Sequence, residues 1–374
     1  MRKIVHVITR FIDGGADENT LLTCNHQARA GDAVWLVHGA AVSRRMLDQL
    51  DPAVGALRLP SLVREISPLK DLAALVRLAR LFRRIRPDVV HTHTSKAGIV
   101  GRLASLAVPR ARVFHGVHIL PFVAAPAPVR LVYIALERLA ALRTRAFIDV
   151  SPEMRALCLK YRIGRPERHF VVPSGMEIAR FRAAVPAPDL AALRARLGPR
   201  AVLAGYLAAL EPRKRHRALI EALAPVLAAE PDVHLALAGD GHERPAVEAL
   251  VAERGLGTRV HVLGFRDDPE RVIAACDFCL FASLREGLPR AVVQYAAAGK
   301  ATLATSLPGI EIVLRDGENG YVVAPDDMAG LARRFAELAR DAATRKAMAA
   351  ASATLDLSDW EAAAMARRIE AIYG

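Results

Sequence analysis

The sequence predicts an α/β protein with two doubly wound parallel sheets in succession. Short runs of β-branched and aliphatic residues alternate with segments of helical periodicity, and this alternation starts afresh after a proline-containing stretch near the middle of the 374 residues. Strands that alternate with helices form a parallel sheet covered on both faces. Hydrophobic residues make up 53% of the chain and aromatic residues only 5%, so Ala, Leu and Val must fill the two cores.

The first half opens with a predicted strand, Ile4–Ile8, that runs into a glycine loop at residues 13–15. A buried strand, a glycine loop and then a helix is the typical start of a doubly wound domain. The pattern continues with predicted strands at 34–37, 88–93 and 146–150 and predicted helices at 71–86 and 96–107. The helix 71–86 has an apolar side at helical spacing, and its other positions form a solvated or lipid-facing side with Arg77, Arg80, Arg83 and Arg84.

The second half repeats the alternation after residues 171–200, whose four prolines predict a linker. Strands are predicted at 202–207, 233–238, 260–263, 276–282 and 301–305, and helices at 218–229, 245–253 and 289–298. We therefore expect a first domain over 1–170, a linker over 171–200, a second domain over 201–355 and a C-terminal helix over 356–374. Ligands of such sheets bind beyond the carboxyl ends of the strands, which predicts an active site in a cleft between the domains.

Composition argues against several classes of protein. The longest apolar runs stay below the ~18 residues of a membrane-spanning helix. The first residues lack the apolar segment and cleavage site of an exported protein, so we expect a cytoplasmic protein. Cys276 and Cys279 lie inside an apolar run without a second ligand pair, which indicates buried thiols rather than a metal or redox site.

The excess of positive charge belongs to the first half. Residues 1–180 hold 28 Lys and Arg against 14 Asp and Glu, whereas residues 181–374 hold 24 against 25. The basic residues have no interleaved aromatics and no zinc-finger or RNA-binding motif, which argues against nucleic acid as a partner. An anionic membrane surface or a phosphorylated acceptor fits this charge at least as well, and a basic surface without a partner is the alternative.

Three segments of the second half predict a site for phosphate or nucleotide. The segment Glu286–Pro289 joins a predicted strand to a predicted helix, so unpaired N–H groups and the positive end of the helix dipole lie beside Glu286. The three cations Arg213–Arg215 follow the strand 202–207 and either neutralise a diphosphate or form a solvated turn. The loop Gly239–Gly241 either admits a base or ribose or only turns the chain tightly.

Short motifs follow one another along the whole chain in a fixed order. They are Gly14–Thr20, His91–Gly98, Val171–Met176, Leu210–Lys214, Ala238–Gly241, Leu263–Phe265, Ser283–Pro289 and Pro308–Glu311. Their order resembles that of the retaining glycosyltransferases of family 4, which have the GT-B fold with two Rossmann-like domains that face each other. Trp360 lies in a segment similar to the closing helix of that family, which crosses back to the first domain. Any one match is common, but eight in order are specific.

The resemblance implies roles for individual residues. Lys214 would bind the diphosphate of the donor, and Glu286 would hydrogen-bond the donor sugar. His115 would contact the transferred sugar near its reacting carbon, with His118 as the competing register and a core or surface histidine as the alternative. The other residues predicted to bind substrate are Gly14, Gly15, Lys96, Arg213, Arg215, Gly239, Asp240, Gly241, Phe265, Arg266, Gly287, Leu288, Pro289 and Gln294.

The sequence departs from the family at two positions. The family usually has Arg five residues before the phosphate-binding lysine, where this chain has Ala209. It usually has a second Glu eight residues after the first, where this chain has Gln294. We expect Arg213 or Arg215 to replace the missing cation. We expect Gln294 to bind ribose more weakly, because an amide offers one acceptor oxygen and no charge.

The resemblance implies transfer of a sugar from a nucleotide-diphosphate sugar to a hydroxyl with retained anomeric configuration. It implies no cofactor and no metal. The expected partners are the sugar donor and a lipid-linked or saccharide acceptor of the cell envelope, at the inner face of the cytoplasmic membrane. Two alternatives stay open: a donor-binding or scaffold protein with degenerate catalysis, and a nucleotide-sugar 2-epimerase.

Overall fold

The computed structural model describes all 374 residues, which divide into two compact units. The first unit comprises residues 1–176 and 358–374, and the second comprises residues 177–357. Each unit contains one sheet, of seven strands in the first and six in the second. Neighbouring strands are parallel in both sheets, so the prediction of two successive doubly wound sheets is confirmed.

The sheet of the first unit has the strand order β3-β2-β1-β4-β5-β6-β7. Its strands are β1 (Lys3–Ile8), β2 (Ala33–His38), β3 (Gly55–Arg58), β4 (Val89–His93), β5 (Arg112–Val117), β6 (Ala146–Asp149) and β7 (His169–Val171). The helices between them are α1 (Gly15–Arg29), α2 (Arg44–Asp48), α3 (Pro68–Ile85), α4 (Ser95–Ala104), α5 (Ala127–Ala141) and α6 (Pro152–Lys160). The strand order changes direction between β1 and β4, and ligands bind near such a switch point.

The sheet of the second unit has the order β10-β9-β8-β11-β12-β13. Its strands are β8 (Val202–Leu207), β9 (Val233–Ala238), β10 (Val260–Gly264), β11 (Phe278–Phe281), β12 (Ala301–Thr305) and β13 (Gly320–Val323). The helices are α7 (Ile178–Arg182), α8 (Pro188–Leu197), α9 (His216–Ala229), α10 (Arg244–Glu253), α11 (Pro269–Ala275), α12 (Arg290–Ala297), α13 (Met328–Arg340) and α14 (Ala342–Ala353). The last helix, α15 (Ala362–Tyr373), belongs to the first unit.

The structure divides residues 171–200 differently from the predicted linker. Val171 ends β7, and residues 177–200 belong to the second unit, where Leu190 of α8 packs with Val272 and Ala275. The prolines account for the difference. Pro188 is the first residue of α8, a position where the missing N–H of proline costs nothing.

The C-terminal helix α15 completes a core of the first unit. Ile369 and Tyr373 of this helix are buried in one cluster with Ile4 of β1 and Phe114 of β5. The segment before it is tied down by the N–H group of Met176, which donates to the carbonyl of residue 360 over 2.7 Å. This is the segment that resembles the closing helix of family 4.

Helix α3 buries a narrower face than the sequence predicts. Its buried residues are Ala74, Leu78 and Phe82. Leu72 and Val76, which the pattern assigns to the apolar side, are 59% and 39% exposed. None of the helices combines the length and the apolar character that crossing a membrane requires.

All four cysteines are buried free thiols, which for Cys276 and Cys279 is the predicted environment. Cys276 comes two residues before β11, not within the predicted strand 276–282, and Cys279 lies in β11. Burial raises the pKa of Cys276 to about 12. A Cβ on Gly205 of the neighbouring strand would lie only 2.5 Å from the sulfur of Cys276, so the glycine makes room for the thiol.

Candidate active site

Lys214 and Glu286 meet in the loops that follow β8 and β11. The ammonium group of Lys214 donates a hydrogen bond to Glu286 Oε1, and Arg213 Nη1 donates to Oε2 over 3.0 Å. Ser283 Oγ also donates to Oε1, over 2.5 Å. The side chains of Lys214 and Glu286 are each 13% exposed. The structure thus brings together the lysine and the glutamate that the sequence singles out.

Hydrogen bonds to the backbone hold this cluster in position. The hydroxyl of Tyr206, on β8, donates to the carbonyl of Lys214 over 2.7 Å. The N–H group of Leu284 donates to the carbonyl of Arg213 over 2.9 Å. The loop after β8 and the loop after β11 are therefore joined both through side chains and through the main chain. Such double support keeps charged groups in a fixed geometry.

The charges in the cluster stabilise one another. Burial by itself raises the pKa of Glu286, but Lys214 and Arg213 outweigh burial and hold that pKa below its ordinary value. Burial lowers the pKa of Lys214, while Glu286 opposes that shift. Arg213 also donates to Glu211 over 2.9 Å. A bound diphosphate would therefore compete with carboxylates for both cations.

The turn after Glu286 supplies backbone donors. The N–H groups of Gly287 and Leu288 donate no hydrogen bond within the chain. They lie directly before the start of α12, where the helix dipole favours negative charge. Pro289 is the residue before α12, and Gln294 lies half-buried within that helix. The turn is thus suited to bind phosphate oxygens.

Of the two arginines expected to replace a missing cation, the geometry favours Arg213. Arg215 turns away and donates to the carbonyl of Pro325. Its backbone has a φ of 58°, in the left-handed region that non-glycine residues rarely adopt. Ala209, where the family usually has an arginine, is exposed after β8.

The glycine loop 239–241 is explained by packing. A Cβ on Gly239 would lie 2.0 Å from the carbonyl oxygen of Ala208, and one on Gly241 would lie 2.4 Å from that of Leu210. Asp240 accepts a hydrogen bond from the N–H group of Gly241 over 2.7 Å. Both glycines are required because this loop lies against the backbone that follows β8.

Phe265 and Arg266 follow β10 in two different environments. Phe265 is 49% exposed. Arg266 forms ion pairs with Asp268 at 2.8 Å and with Asp189 of α8 at 2.6 Å. These carboxylates raise the pKa of Arg266 further above its ordinary value. The described contacts of Arg266 therefore hold α8 and the loop after β10 together.

The glycine loop of the first unit encloses an acidic side chain. Gly14 is the residue before α1, Gly15 is the first residue of that helix, and the N–H group of Gly14 donates to Asp17 Oδ2 over 3.1 Å. Burial raises the pKa of Asp17 to about 7. Lys96 forms an ion pair with Asp71 at 2.7 Å, and its side chain is 10% exposed. All of these residues belong to the first unit.

His115 and His118, the two candidate histidines of the first unit, lie in different surroundings. His115 is 4% exposed, and its Nδ1 lies 2.9 Å from the hydroxyl oxygen of Thr92. A Cβ on Gly98 of α4 would lie 2.4 Å from the His115 ring, so the helix and the ring are in close contact. His115 is therefore a core residue. His118 lies just beyond the end of β5 and is half-buried.

Sequence reasoning missed Ser283, which touches the same carboxylate oxygen as Lys214. The signal was present, because Ser283 is the third residue before Glu286 in the loop that follows β11. A hydroxyl at that spacing can orient a carboxylate.

Comparisons with known families identify the class of this protein. Residues 13–180 match the model of Glycosyltransferase Family 4, and residues 199–341 match that of Glycosyl transferases group 1. EpsD of Bacillus subtilis (strain 168), which is named as a glycosyltransferase, is 30% identical over 311 residues, 81% of this chain and 80% of EpsD. The UDP-Gal:alpha-D-GlcNAc-diphosphoundecaprenol alpha-1,3-galactosyltransferase of Escherichia coli is 29% identical over 287 residues, 76% of this chain and 74% of that enzyme.

Solved structures of the same fold cover nearly the whole chain. HepE of Anabaena, in complex with UDP and glucose, has a TM-score of 0.83 at 22% identity and covers 99% of each chain. Sucrose-phosphate synthase of Thermosynechococcus elongatus has a TM-score of 0.83 at 18% identity, covering 100% of this chain and 98% of that one. The protein is a glycosyltransferase of the GT-B fold. Within that class, the chain belongs to family 4.

Proposed function

We propose that this chain transfers a sugar from a nucleotide-diphosphate sugar to a hydroxyl of a lipid-linked or saccharide intermediate of the cell envelope. The observation that carries the proposal is the cluster of Lys214, Arg213 and Glu286 beside the unbonded N–H groups of Gly287 and Leu288. Two cations and fixed backbone donors suit the negative charge that grows on a departing diphosphate. The UDP bound in HepE and the UDP-Gal and diphosphoundecaprenol in the name of the Escherichia coli relative support this assignment.

The transfer we propose retains the anomeric configuration. The bond between the sugar C1 and the phosphate oxygen breaks, and the acceptor oxygen bonds to C1 on the same face. The proton of the acceptor hydroxyl passes to the departing phosphate oxygen. Lys214 and Arg213 stabilise the charge on that phosphate, so no divalent ion is needed there, and Glu286 aligns the donor sugar.

The substitution Glu286→Gln tests this division of roles. UDP affinity should stay the same or rise, because the amide no longer competes with phosphate for Lys214 and Arg213. The transfer rate should fall by about a hundredfold, the cost of losing one aligned polar contact in a transition state. Calorimetry with UDP and transfer from UDP-sugars to polyprenyl-diphosphate sugars measure the two quantities, and NMR of the product reports the anomeric configuration.

Other outcomes of the same assay would contradict the proposal. Loss of UDP binding in Glu286→Gln with transfer intact would refute the assigned roles. A rate that depends on added Mg²⁺ or Mn²⁺ would refute a metal-free diphosphate site. UDP binding without transfer to any acceptor would support a donor-binding scaffold, and an epimer formed without acceptor would support an epimerase.

We also propose that the first unit binds an anionic membrane surface, where a lipid-linked acceptor resides. Helix α5 supports this because most of its large apolar side chains are exposed. It buries Glu137, which pairs with Arg102 of α4, and exposes large apolar side chains. The exposed residues are Val129, Leu131, Val132, Leu136, Leu139 and the adjoining Leu142. Helix α3, which like α5 contacts α4, adds exposed leucines beside exposed arginines. Apolar and basic residues together bind the headgroup region of anionic bilayers.

A further inference from the structure

Three histidines of the first unit converge on one point beneath the C-terminal helix. His6 of β1 pairs with His91 of β4 in the sheet register, and His93 lies on the same face two residues further along. One ring nitrogen of each lies within 4.8 Å of those of the other two. The three residues are 0%, 1% and 1% exposed. The proposed transfer reaction does not use them.

Each ring has one nitrogen with a hydrogen-bond partner outside the group of three histidines. The partners are Gln27 Oε1 for His6 Nε2 at 2.8 Å, His118 Nε2 for His93 Nδ1 at 3.2 Å and the Tyr373 hydroxyl for His91 Nδ1 at 2.7 Å. Gln27 is itself oriented by a hydrogen bond to Glu370 over 3.0 Å. Histidines that bind a metal are held by such outer partners, which fix the tautomer and the direction of the ring.

Of the remaining three ring nitrogens, here called the inner nitrogens, one has no partner. His6 Nδ1 and His93 Nε2 lie 3.0 Å apart and share one hydrogen bond. His91 Nε2 is buried and has no hydrogen-bond partner. Leaving a buried polar atom without a partner is unfavourable, because the atom has lost its hydrogen bonds to water. An ion bonded to all three inner nitrogens would remove that cost.

The sheet leaves room beside the unpartnered nitrogen. Gly116 of β5 is the register partner of His93 in β4. A Cβ on Gly116 would lie 3.1 Å from His93 Nδ1, 3.2 Å from His118 Nε2 and 3.4 Å from the unpartnered His91 Nε2. Any other residue at this position would therefore fill space next to that nitrogen.

The three nitrogen atoms available as ligands determine which kind of metal ion suits the site. Three imidazole nitrogens suit Zn²⁺ and similar late transition metals, whereas Mg²⁺ and Ca²⁺ prefer oxygen ligands. We propose that His6 Nδ1, His91 Nε2 and His93 Nε2 bind one Zn²⁺ ion in the first unit. With the ion on Nε2, the ring proton of His93 lies on Nδ1 and is donated to His118 Nε2, and the ring proton of His118 then lies on its own Nδ1. Through His91 and Tyr373, the ion connects the sheet to α15.

Metal uptake by the whole chain, freed of any affinity tag, tests the proposal. Chelator-treated and dialysed protein should retain one equivalent of Zn²⁺ after gel filtration, and its melting temperature should rise. Protein loaded with Co²⁺ in place of Zn²⁺ should show the visible absorption of a Co²⁺ ion that has a low coordination number and nitrogen ligands. Retention of less than a tenth of an equivalent, with no shift in melting temperature, would overturn the proposal.

Two variants locate the ion. His91→Asn should lose Zn²⁺ retention, whereas the control His234→Asn should keep it, because His234 lies in the second unit, 3.3 Å from His261 and away from the three proposed ligands. Tyr373→Phe keeps the three ligands and removes one outer hydrogen bond, so its Zn²⁺ affinity should fall about 10- to 100-fold. Full retention in His91→Asn, or unchanged affinity in Tyr373→Phe, would show that the ion binds elsewhere. The Tyr373→Phe result decides the matter if His91→Asn does not fold.

Discussion

Among the cations that follow β8, Arg213 contacts Glu286 and Arg215 does not. We therefore predict that Arg213→Ala lowers UDP affinity about 10- to 150-fold, the equivalent of the 1.5–3 kcal/mol of a hydrogen bond to a charged group. Arg215→Ala should change the affinity less than threefold, because its guanidinium lies on the carbonyl of Pro325. Calorimetric titration of both variants measures this difference. Equal losses of UDP affinity in the two variants would show that Arg213 and Arg215 together replace the absent arginine.

Asp17 provides a prediction about pH. Its pKa in the folded chain is raised to about 7 by burial, above the ordinary value of 3.8. When folding raises the pKa of an acid, the acid destabilises the fold increasingly as the pH rises from its pKa in the unfolded chain to its pKa in the folded chain. Asp17→Asn removes this effect while an amide oxygen can still accept from Gly14. The free energy of unfolding of Asp17→Asn should therefore exceed that of the wild type by a margin that grows between pH 4 and pH 7. The margin should increase by at most about 1.4 kcal/mol per pH unit.

Denaturant titrations of both proteins at several pH values check this prediction. A stability difference that stays constant across the range would mean that Asp17 titrates normally in the folded chain.

The pairing of Lys214 with Glu286 could be anticipated from the order of motifs, but the choice between His115 and His118 could not. Alternate residues of a strand point to opposite faces of the sheet. His115 lies within β5 and points to the face that α4 covers, whereas His118 lies beyond the last residue of the strand. The motif does not show where β5 ends, so it does not show which histidine lies within the strand and which lies beyond it.

At the scale of elements, the contact between α4 and β5 depends on a glycine. A Cβ on Gly98 would lie 2.4 Å from the ring of His115, which is buried and hydrogen-bonded to Thr92. Gly98→Ala should therefore destabilise the protein by about 1–3 kcal/mol, the cost of overpacking a core. This loss should exceed the gain of about 1 kcal/mol that alanine brings to a helix.

Thermal unfolding of Gly98→Ala and of the control Gly257→Ala measures the effect. A Cβ on Gly257 meets no atom within 4 Å, so the control should keep its melting temperature. A stable Gly98→Ala variant would mean that the His115 ring can move aside.

The exposed apolar side of α5 predicts binding to membranes. The double change Leu131→Glu, Leu139→Glu should abolish sedimentation with anionic vesicles, because it adds negative charge and removes apolar surface from one helix. The control Ile312→Glu changes an exposed apolar residue of the second unit, 52% exposed, and should leave binding intact. Equal binding of the wild type to neutral and anionic vesicles at low salt would contradict the electrostatic part of the proposal.

Periodicity predicted most strands and the helices that bury one apolar side, but some elements escaped it. Helix α5 exposes most of its large apolar side chains and buries Ile134 and Glu137, so its sequence pattern does not show which face packs on the protein. The prolines at 186 and 188 were interpreted as a linker, although Pro188 begins α8. A local pattern cannot distinguish a proline that starts a helix from one in a connection.

At the scale of the whole molecule, the fold was the most predictable property. Each unit repeats strand, loop and helix around one parallel sheet, and a right-handed crossover leaves few arrangements for such a chain. The second unit has its own large core, which includes Tyr206 of β8 and Phe278 of β11. Both residues lie in the strands that precede the two loops of the candidate site. The core of this unit therefore supports the site directly.

The central claim is that Lys214 and the turn bearing Glu286 bind the diphosphate of the donor. UDP titrated against the wild type, Lys214→Ala and the control Arg215→Ala tests it most directly. The account predicts that Lys214→Ala binds UDP at least about tenfold more weakly, since it loses a hydrogen bond from a charged donor, while Arg215→Ala binds as the wild type does. UDP binding to Lys214→Ala with the affinity of the wild type would contradict the account.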